Sequence, residues 1–178
     1  MTSLFDGENI EISEDYVLQD NYTINSNDYY IKFVSDNVTF DGNGKTITLD
    51  NIELCEGIFY NEGYSYITVK NLIIDVKTDN LIGKYTNENG SGYMCRNRYG
   101  KNGTENKFEN CTIQNAYINS RSGAFGGSYL SNLSFTNCVV YGTLGVHLHK
   151  VDGQSSSTFE AYTASGMITE YCNSITMR

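Results

Sequence analysis

The sequence predicts an all-β chain wound as a solenoid of short parallel strands. Three observations lead there: an internal repeat that aligns without a gap, an asparagine at which inward/outward alternation slips by one residue, and a proline-free composition rich in Gly, Asn and Thr. The chain has 178 residues, enough for one domain with a sizeable core.

The repeat is clearest in two stretches. "GIFYNEGYSYITVKNLIIDV" starts at Gly57 and "GAFGGSYLSNLSFTNCVVYG" at Gly123, an offset of 66. Gly57 aligns with Gly123, Phe59 with Phe125, Ile67 with Leu133, Val69 with Phe135, Asn71 with Asn137 and Ile74 with Val140. "NKFENCTIQN" is a third copy, with Phe108, Asn110, Cys111 and Ile113 in the places of Val69, Asn71, Leu72 and Ile74. "GMITEYCNSITM", from Gly166, begins a further copy about one residue shorter and stops before completing it.

In a strand, residues two apart share a face, so Ile67 and Val69 point the same way. Past Asn71 the parity changes, and Leu72 and Ile74 fall on that same side. A strand, a one-residue corner at Asn and a second strand produce this pattern, because Asn tolerates the left-handed backbone region. The offset of 66 reads as three coils of about 22 residues. Coils stacked in register would pile Asn71, Asn110 and Asn137 into a column whose side chains bond to one another, a structural ladder.

The other elements follow in order. In "VTFDGNGKTITL", residues 38–49, Val38 and Phe40 form an inward pair, Gly42 to Gly44 a corner, and Ile47 and Leu49 the next side. Upstream, Val17, Tyr22, Ile24, Ile31 and Phe33 alternate with polar residues as earlier, irregular strands. The acidic residues 1–15 are expected to cap the lower edge, leaving 16–178 as solenoid. The pattern fades between residues 76 and 105.

Charge and composition exclude several functions. Against 21 acidic residues stand 12 Lys and Arg, a net charge of −9. Nucleic-acid binding needs a basic stripe, and anionic membrane surfaces repel such a chain. There is no apolar run of membrane-spanning length and no secretory leader at the start. Six Asn-x-Ser/Thr sequences reflect the Asn- and Thr-rich composition. The five cysteines show no zinc spacing, and reduced thiols are expected, with Cys111 and Cys138 as small inward residues.

"NVTFDGNGKTITL" resembles the N-terminal coils of right-handed parallel β-helix proteins of the pectin-lyase-like superfamily. "GAFGGSYLSNLSFTNCVVYG" is similar to the Gly-rich repeats of β-helical adhesin-like surface proteins. The Asn/Tyr-rich, proline-free composition also resembles that of proteins of giant amoebal DNA viruses. The resemblance implies a single-stranded right-handed parallel β-helix of roughly 6–7 coils, and its C-terminal coil is expected to be incomplete. It also implies the chemistry to look for: clustered Asp/Glu holding calcium with an Arg or Lys base in lyases, or close aspartates with His and a basic residue in hydrolases.

Neither constellation stands out. The carboxylates after Asp75 are Asp79, Glu88, Glu105, Glu109, Asp152, Glu160 and Glu170, without motif-like pairing, so no catalytic residue and no cofactor is assigned. In "GVHLHK", His147 and His149 alternate and would share a strand face, a weak metal candidate without a third ligand; the plainer arrangement turns Val146 and Leu148 inward. The basic cluster "GYMCRNRYGKNG" holds Tyr93, Arg96, Arg98, Tyr99 and Lys101 where the repeat is disturbed. It is expected to bulge as a loop, either a solvated one that offsets local acidity or one that grips an anionic glycan or acidic partner. The abundant tyrosines serve either as strand residues or as a sugar-binding face.

The expectation is therefore a non-catalytic structural or attachment module of viral or cell-surface type, with protein subunits docked through an open solenoid end or outer faces. The alternatives are a polysaccharide-binding module and a glycan-cleaving lyase or hydrolase on the same fold.

Overall fold

The computed structural model describes residues 9–50, 52, 54–77, 81–82, 91–118, 123–127, 129–144, 146–150, 159–163, 168 and 172–178. Every regular element among them is a strand. Three sheets of parallel strands make up the body. The first stacks Ile10–Ile12, Ile31–Phe33 and Phe59–Tyr60, and bridges extend it from Phe59 to Cys95 and on to Gly126. The second stacks Tyr16–Val17, Thr39–Asp41, Thr68–Lys70, Asn106–Glu109, Ser131–Thr136 and Asn173–Met177. The third stacks Tyr22–Ile24, Thr46–Leu49, Ile73–Val76, Thr112–Ile118 and Val139–Leu144. The chain visits first, second and third sheet in that order again and again, which makes the fold solenoid-like.

The core lies between the sheets and follows the alternation in the sequence. Ile67, Val69, Leu72 and Ile74 are all buried, as are Val38, Phe40, Ile47 and Leu49. Register then stacks like upon like. Phe108 pairs with Val69 below and Phe135 above, and the Phe108 and Phe135 rings stack at 5.4 Å. Tyr16 stacks on Phe40 at 5.5 Å, and Phe33 on Phe59 at 5.9 Å. Each such pair adds about 0.5–1.5 kcal/mol beyond the area it buries.

Left-handed residues stand at both the entry and the exit of three second-sheet rungs, Thr68–Lys70, Asn106–Glu109 and Ser131–Thr136. At the exit stand Asn71, Asn110 and Asn137, with φ of 53°, 53° and 51°. Their backbone N–H groups donate to the rung above: Asn71 to Glu109 O at 3.0 Å, Asn110 to Thr136 O at 2.9 Å, Asn137 to Arg178 O at 3.2 Å. Their side chains donate to the rung below: Asn137 Nδ2 to Asn110 Oδ1 at 3.3 Å, and Asn110 Nδ2 to Asn71 Oδ1 at 3.2 Å. Asn71 Nδ2 in turn donates to Asp41 Oδ1 at 3.1 Å. The column thus ends on a carboxylate, which only accepts and so orients every amide above it. No asparagine fits one step lower, because a Cβ on Gly42 would come within 2.6 Å of Asn71 O.

At the entry corner, Asn37, Tyr66, Glu105, Asn132 and Ser174 all have φ between 52° and 59°. Tyr, Glu and Ser seldom adopt this region, so the sequence does not advertise the second column.

Several expectations need correcting. The offset of 66 covers two steps of the stack, not three. Asn71 to Asn110 is 39 residues and Asn110 to Asn137 is 27, so the coil between residues 71 and 110 carries an insertion. The gapless alignment of Phe59 with Phe125 fails in the first sheet, where the bridges run from Phe59 through Cys95 to Gly126. Val17 points outward at 47% exposure, because Tyr16 and Leu18 take the inward positions. Val146–Lys150 pairs antiparallel with Phe159–Thr163, so the winding departs from the parallel pattern after Leu144. Asn173–Met177 does return in parallel, with Ile175 beside Leu133, the one-residue shortening read from the repeat. Of the anticipated cap, residues 1–8 lie outside the described residues, and Ile10–Ile12 is already paired with Ile31–Phe33. The acids Asp79, Glu88, Asp152 and Glu170 also lie outside them.

The corner geometry makes two predictions. Asn110→Ala should destabilise the fold by about 2–4 kcal/mol in urea unfolding, through a left-handed penalty and two lost amide bonds. Asn110→Gly keeps the backbone freedom and should cost about half as much; equal costs would contradict a conformational role for the corner.

Asp41 generates the second. Burial works against its charge, but hydrogen bonds from the Asn43 N–H, the Asn71 amide and Lys70 outweigh it, and its pKa falls below 3.8. A depressed folded pKa stabilises fully above the unfolded value and loses that contribution as the pH falls through the folded one. The melting temperature of the native chain should therefore drop more steeply below about pH 4 than that of Asp41→Asn. Parallel pH profiles would contradict this.

Candidate functional site

The basic segment of residues 92–103 is wall, not bulge. Tyr93 and Tyr99 are both fully buried. The Tyr93 hydroxyl donates to Tyr117 O at 2.9 Å, and the Tyr99 ring packs on Phe108 at 5.5 Å. Burial pushes both phenols up, so both stay neutral. Close backbone approach explains the glycines: a Cβ on Gly100 would stand 2.1 Å from Ser131 O. Cys95 continues the first sheet, and Arg96 N donates to Phe59 O at 2.8 Å. The five residues grouped by sequence therefore do not form one exposed surface. Arg98 and Lys101 are exposed, whereas Tyr93, Arg96 and Tyr99 hold the wall together.

Arg96 is the strongest of these contacts, and its partners are invisible in the sequence. Its guanidinium sits 3.9 Å above the Tyr30 ring, with Nη1 3.2 Å from Glu56 Oε2 and Nη2 donating to Asn27 O. One side chain thus ties its own rung to the two below. Burial lowers the Arg96 pKa and Glu56 opposes that, so the group acts as a charged clamp in a half-dry site.

Other acids and amides hold backbone as well. Asp15 Oδ1 accepts Thr39 N–H at 2.7 Å, Asn21 Oδ1 accepts Thr46 N–H at 2.9 Å, and Asp36 Oδ1 accepts Ser65 N–H at 2.8 Å. Asn27 Oδ1 accepts Glu56 N–H at 2.9 Å, and buried Asn106 accepts Ile67 N–H at 3.0 Å. Asp75 accepts from the Asn115 amide at 2.8 Å. An Asp or Asn that satisfies an N–H of a neighbouring rung is a structural device, each such bond contributing about 0.5–1.5 kcal/mol.

Among the described residues, no three His, Cys, Asp or Glu side chains converge as a metal site. His147 and His149 lie in the antiparallel pair, in register with Tyr162 and Glu160. No helix among the described residues is long and apolar enough to cross a membrane.

The exposed aromatics are elsewhere. Tyr117 is 42% exposed and Tyr141 62%, on the neighbouring strands Thr112–Ile118 and Val139–Leu144. Ala116 pairs with Gly142 between them. Residue type and immediate neighbours do not separate these two from the buried Tyr93 and Tyr99, because apolar residues stand beside Tyr93, Tyr117 and Tyr141 alike.

Comparison with protein-family models, curated proteins and solved structures returns no match.

The clamp predicts an asymmetry. Arg96→Lys should cost about 2 kcal/mol in urea unfolding, because an ammonium keeps the charge but loses the planar stack on Tyr30 and the fork to Glu56 and Asn27. Lys101→Ala should change stability by less than about 0.5 kcal/mol. Similar costs at the two positions would refute the distinction.

Proposed function

We propose that this chain is a non-catalytic structural or attachment module: a right-handed parallel β-helix of roughly 6–7 coils in the style of the pectin-lyase-like superfamily, working at a virion or cell surface with protein subunits as partners. One observation carries the reading. Among the described carboxylates, Asp15 and Asp36 accept backbone N–H groups of the next rung, Asp41 ends the asparagine column, Glu56 holds Arg96 and Asp75 accepts the Asn115 amide, so these five serve the scaffold.

The partner follows from the strand edges. Among the described residues, Val139–Leu144 is the outermost strand of the third sheet and Asn173–Met177 of the second. Val139, Tyr141 and Met177 are exposed there. Edge strands with exposed apolar side chains favour pairing with another chain.

A second reading has its own support. Tyr117 and Tyr141 are both exposed on neighbouring strands of one sheet, and exposed aromatic faces can lie against a sugar chain. In that case the module is a polysaccharide binder.

One set of measurements separates the three classes. Sedimentation equilibrium across a concentration series should show self-association or capture of a co-purified subunit, while a monomer throughout contradicts the assembly reading. A polyuronate panel with calcium should release no unsaturated or reducing sugar, and release would establish the enzyme instead. Binding on a glycan array that is lost in both Tyr117→Ala and Tyr141→Ala would move the assignment to the carbohydrate reading.

A further inference from the structure

Cys111 and Cys138 directly follow Asn110 and Asn137, so the asparagine column sets a cysteine upon a cysteine. The residues after them, Thr112 and Val139, are paired in register, and Val139 N donates to Cys111 O at 3.0 Å. Neighbouring parallel strands are about 4.8 Å apart, inside the roughly 4.4–6.8 Å Cα separation that a disulfide bridges. Below them the same position is Leu72, so the pairing is peculiar to these two rungs. Both thiols are free. Cys111 is fully buried, whereas Cys138 is only partly so and can be reached from solvent.

We propose that Cys111 and Cys138 form a redox modification site that takes a hydroperoxide and closes into a disulfide stapling two adjacent rungs. Cys138 meets the oxidant. Its thiolate attacks one peroxide oxygen; an S–O bond forms, the O–O bond breaks, and the departing oxygen leaves as water or alcohol after taking a proton. The product is a sulfenic acid on Cys138. The Cys111 sulfur then attacks the Cys138 sulfur; the S–S bond forms, the S–O bond breaks, and hydroxide leaves as water with the Cys111 proton. Two thiols and one hydroperoxide thus yield one disulfide, one water and one further water or alcohol, with two electrons passing to the peroxide.

The electrostatics agree with this division of roles. The two thiols are within hydrogen-bonding reach of each other. The bond from Cys111 holds the Cys138 thiol below its ordinary value against the opposing effect of burial, while Cys111, with the proton and buried, is pushed up. The more exposed sulfur is therefore also the better nucleophile, and the buried one is placed to resolve it. Cys55 has no comparable setting: burial pushes it up to about 11. The staple would close a loop the length of the 27-residue Asn110–Asn137 step and fix the uppermost linked rungs of the column.

The test uses the full reduced chain, hydrogen peroxide, an N-ethylmaleimide quench and peptide mapping. The expected result is loss of two alkylatable thiols, a mass lower by two hydrogens, and a linked Cys111–Cys138 peptide pair that a dithiol reductant releases. In Cys111→Ala the sulfenic acid on Cys138 has no resolving partner and should be captured by dimedone. Cys95 lies near both Cys138 and Cys172, so the map also shows whether another pair forms instead. A link from Cys138 to Cys95 or Cys172, a bond between two chains, or recovery of Cys111 and Cys138 as free thiols would overturn the proposal. The map on the unaltered chain decides the matter even if the alanine variant does not fold.

Discussion

The structure depends on one conformational requirement: the second-sheet rungs Thr68–Lys70, Asn106–Glu109 and Ser131–Thr136 are entered and left through residues in the left-handed backbone region. There the chain turns tightly and changes sheets while its backbone hydrogen bonds stay aligned with the rungs above and below. An L-residue pays about 1–2 kcal/mol for that conformation unless, like Asn, its side chain offsets the cost locally. At Asn71, Asn110 and Asn137 the offset comes from the stack itself. The backbone N–H reaches up, the side-chain amide reaches down, and the corner that strains the chain also joins the rungs.

From that requirement the remainder follows in sequence. In-register corners place side chains of equivalent position on top of one another, which brings Phe108 under Phe135 and Tyr16 against Phe40. A column of amides needs an end that accepts, and Asp41 supplies it where Gly42 leaves no room for a side chain. Insertions are tolerated as long as the corners resume register. The 39-residue step from Asn71 to Asn110 and the 27-residue step after it enter the same sheets at the same positions. Long loops cost little extra closure entropy, so coil length varies while rung geometry does not.

That separation explains what could be read from the sequence. Parity around Asn71 and the recurring Asn in equal surroundings reveal the exit corner, because a periodicity of two and a residue with a known backbone preference are local signals. The number of steps within the offset of 66 was not local, since a 39-residue step with an insertion and an ordinary 27-residue step sum to the length of three coils of about 22. Tyr66 and Glu105 hid the entry corner, as neither residue type suggests left-handed backbone. The segment around Arg96 misled for a different reason: charge and aromatic content suggest an exposed grip, but Tyr30, Glu56 and Asn27, which bury it, come from rungs far away in sequence. Site chemistry assembled across rungs leaves no contiguous motif, and exposure of a given tyrosine is decided by the coil it faces.

Several acids and amides of the chain are occupied by its own corners. The exit asparagines form one continuous amide column on left-handed backbone. The most direct measurement is nuclear Overhauser spectroscopy on the side-chain amides of the isotopically labelled chain, with backbone couplings read at the same residues. Amide-to-amide cross-peaks linking Asn71 to Asn110 and Asn110 to Asn137, together with positive φ at all three, are the predicted result. Absent cross-peaks between these residues, or couplings that require negative φ, would contradict the column and the stacked architecture built upon it.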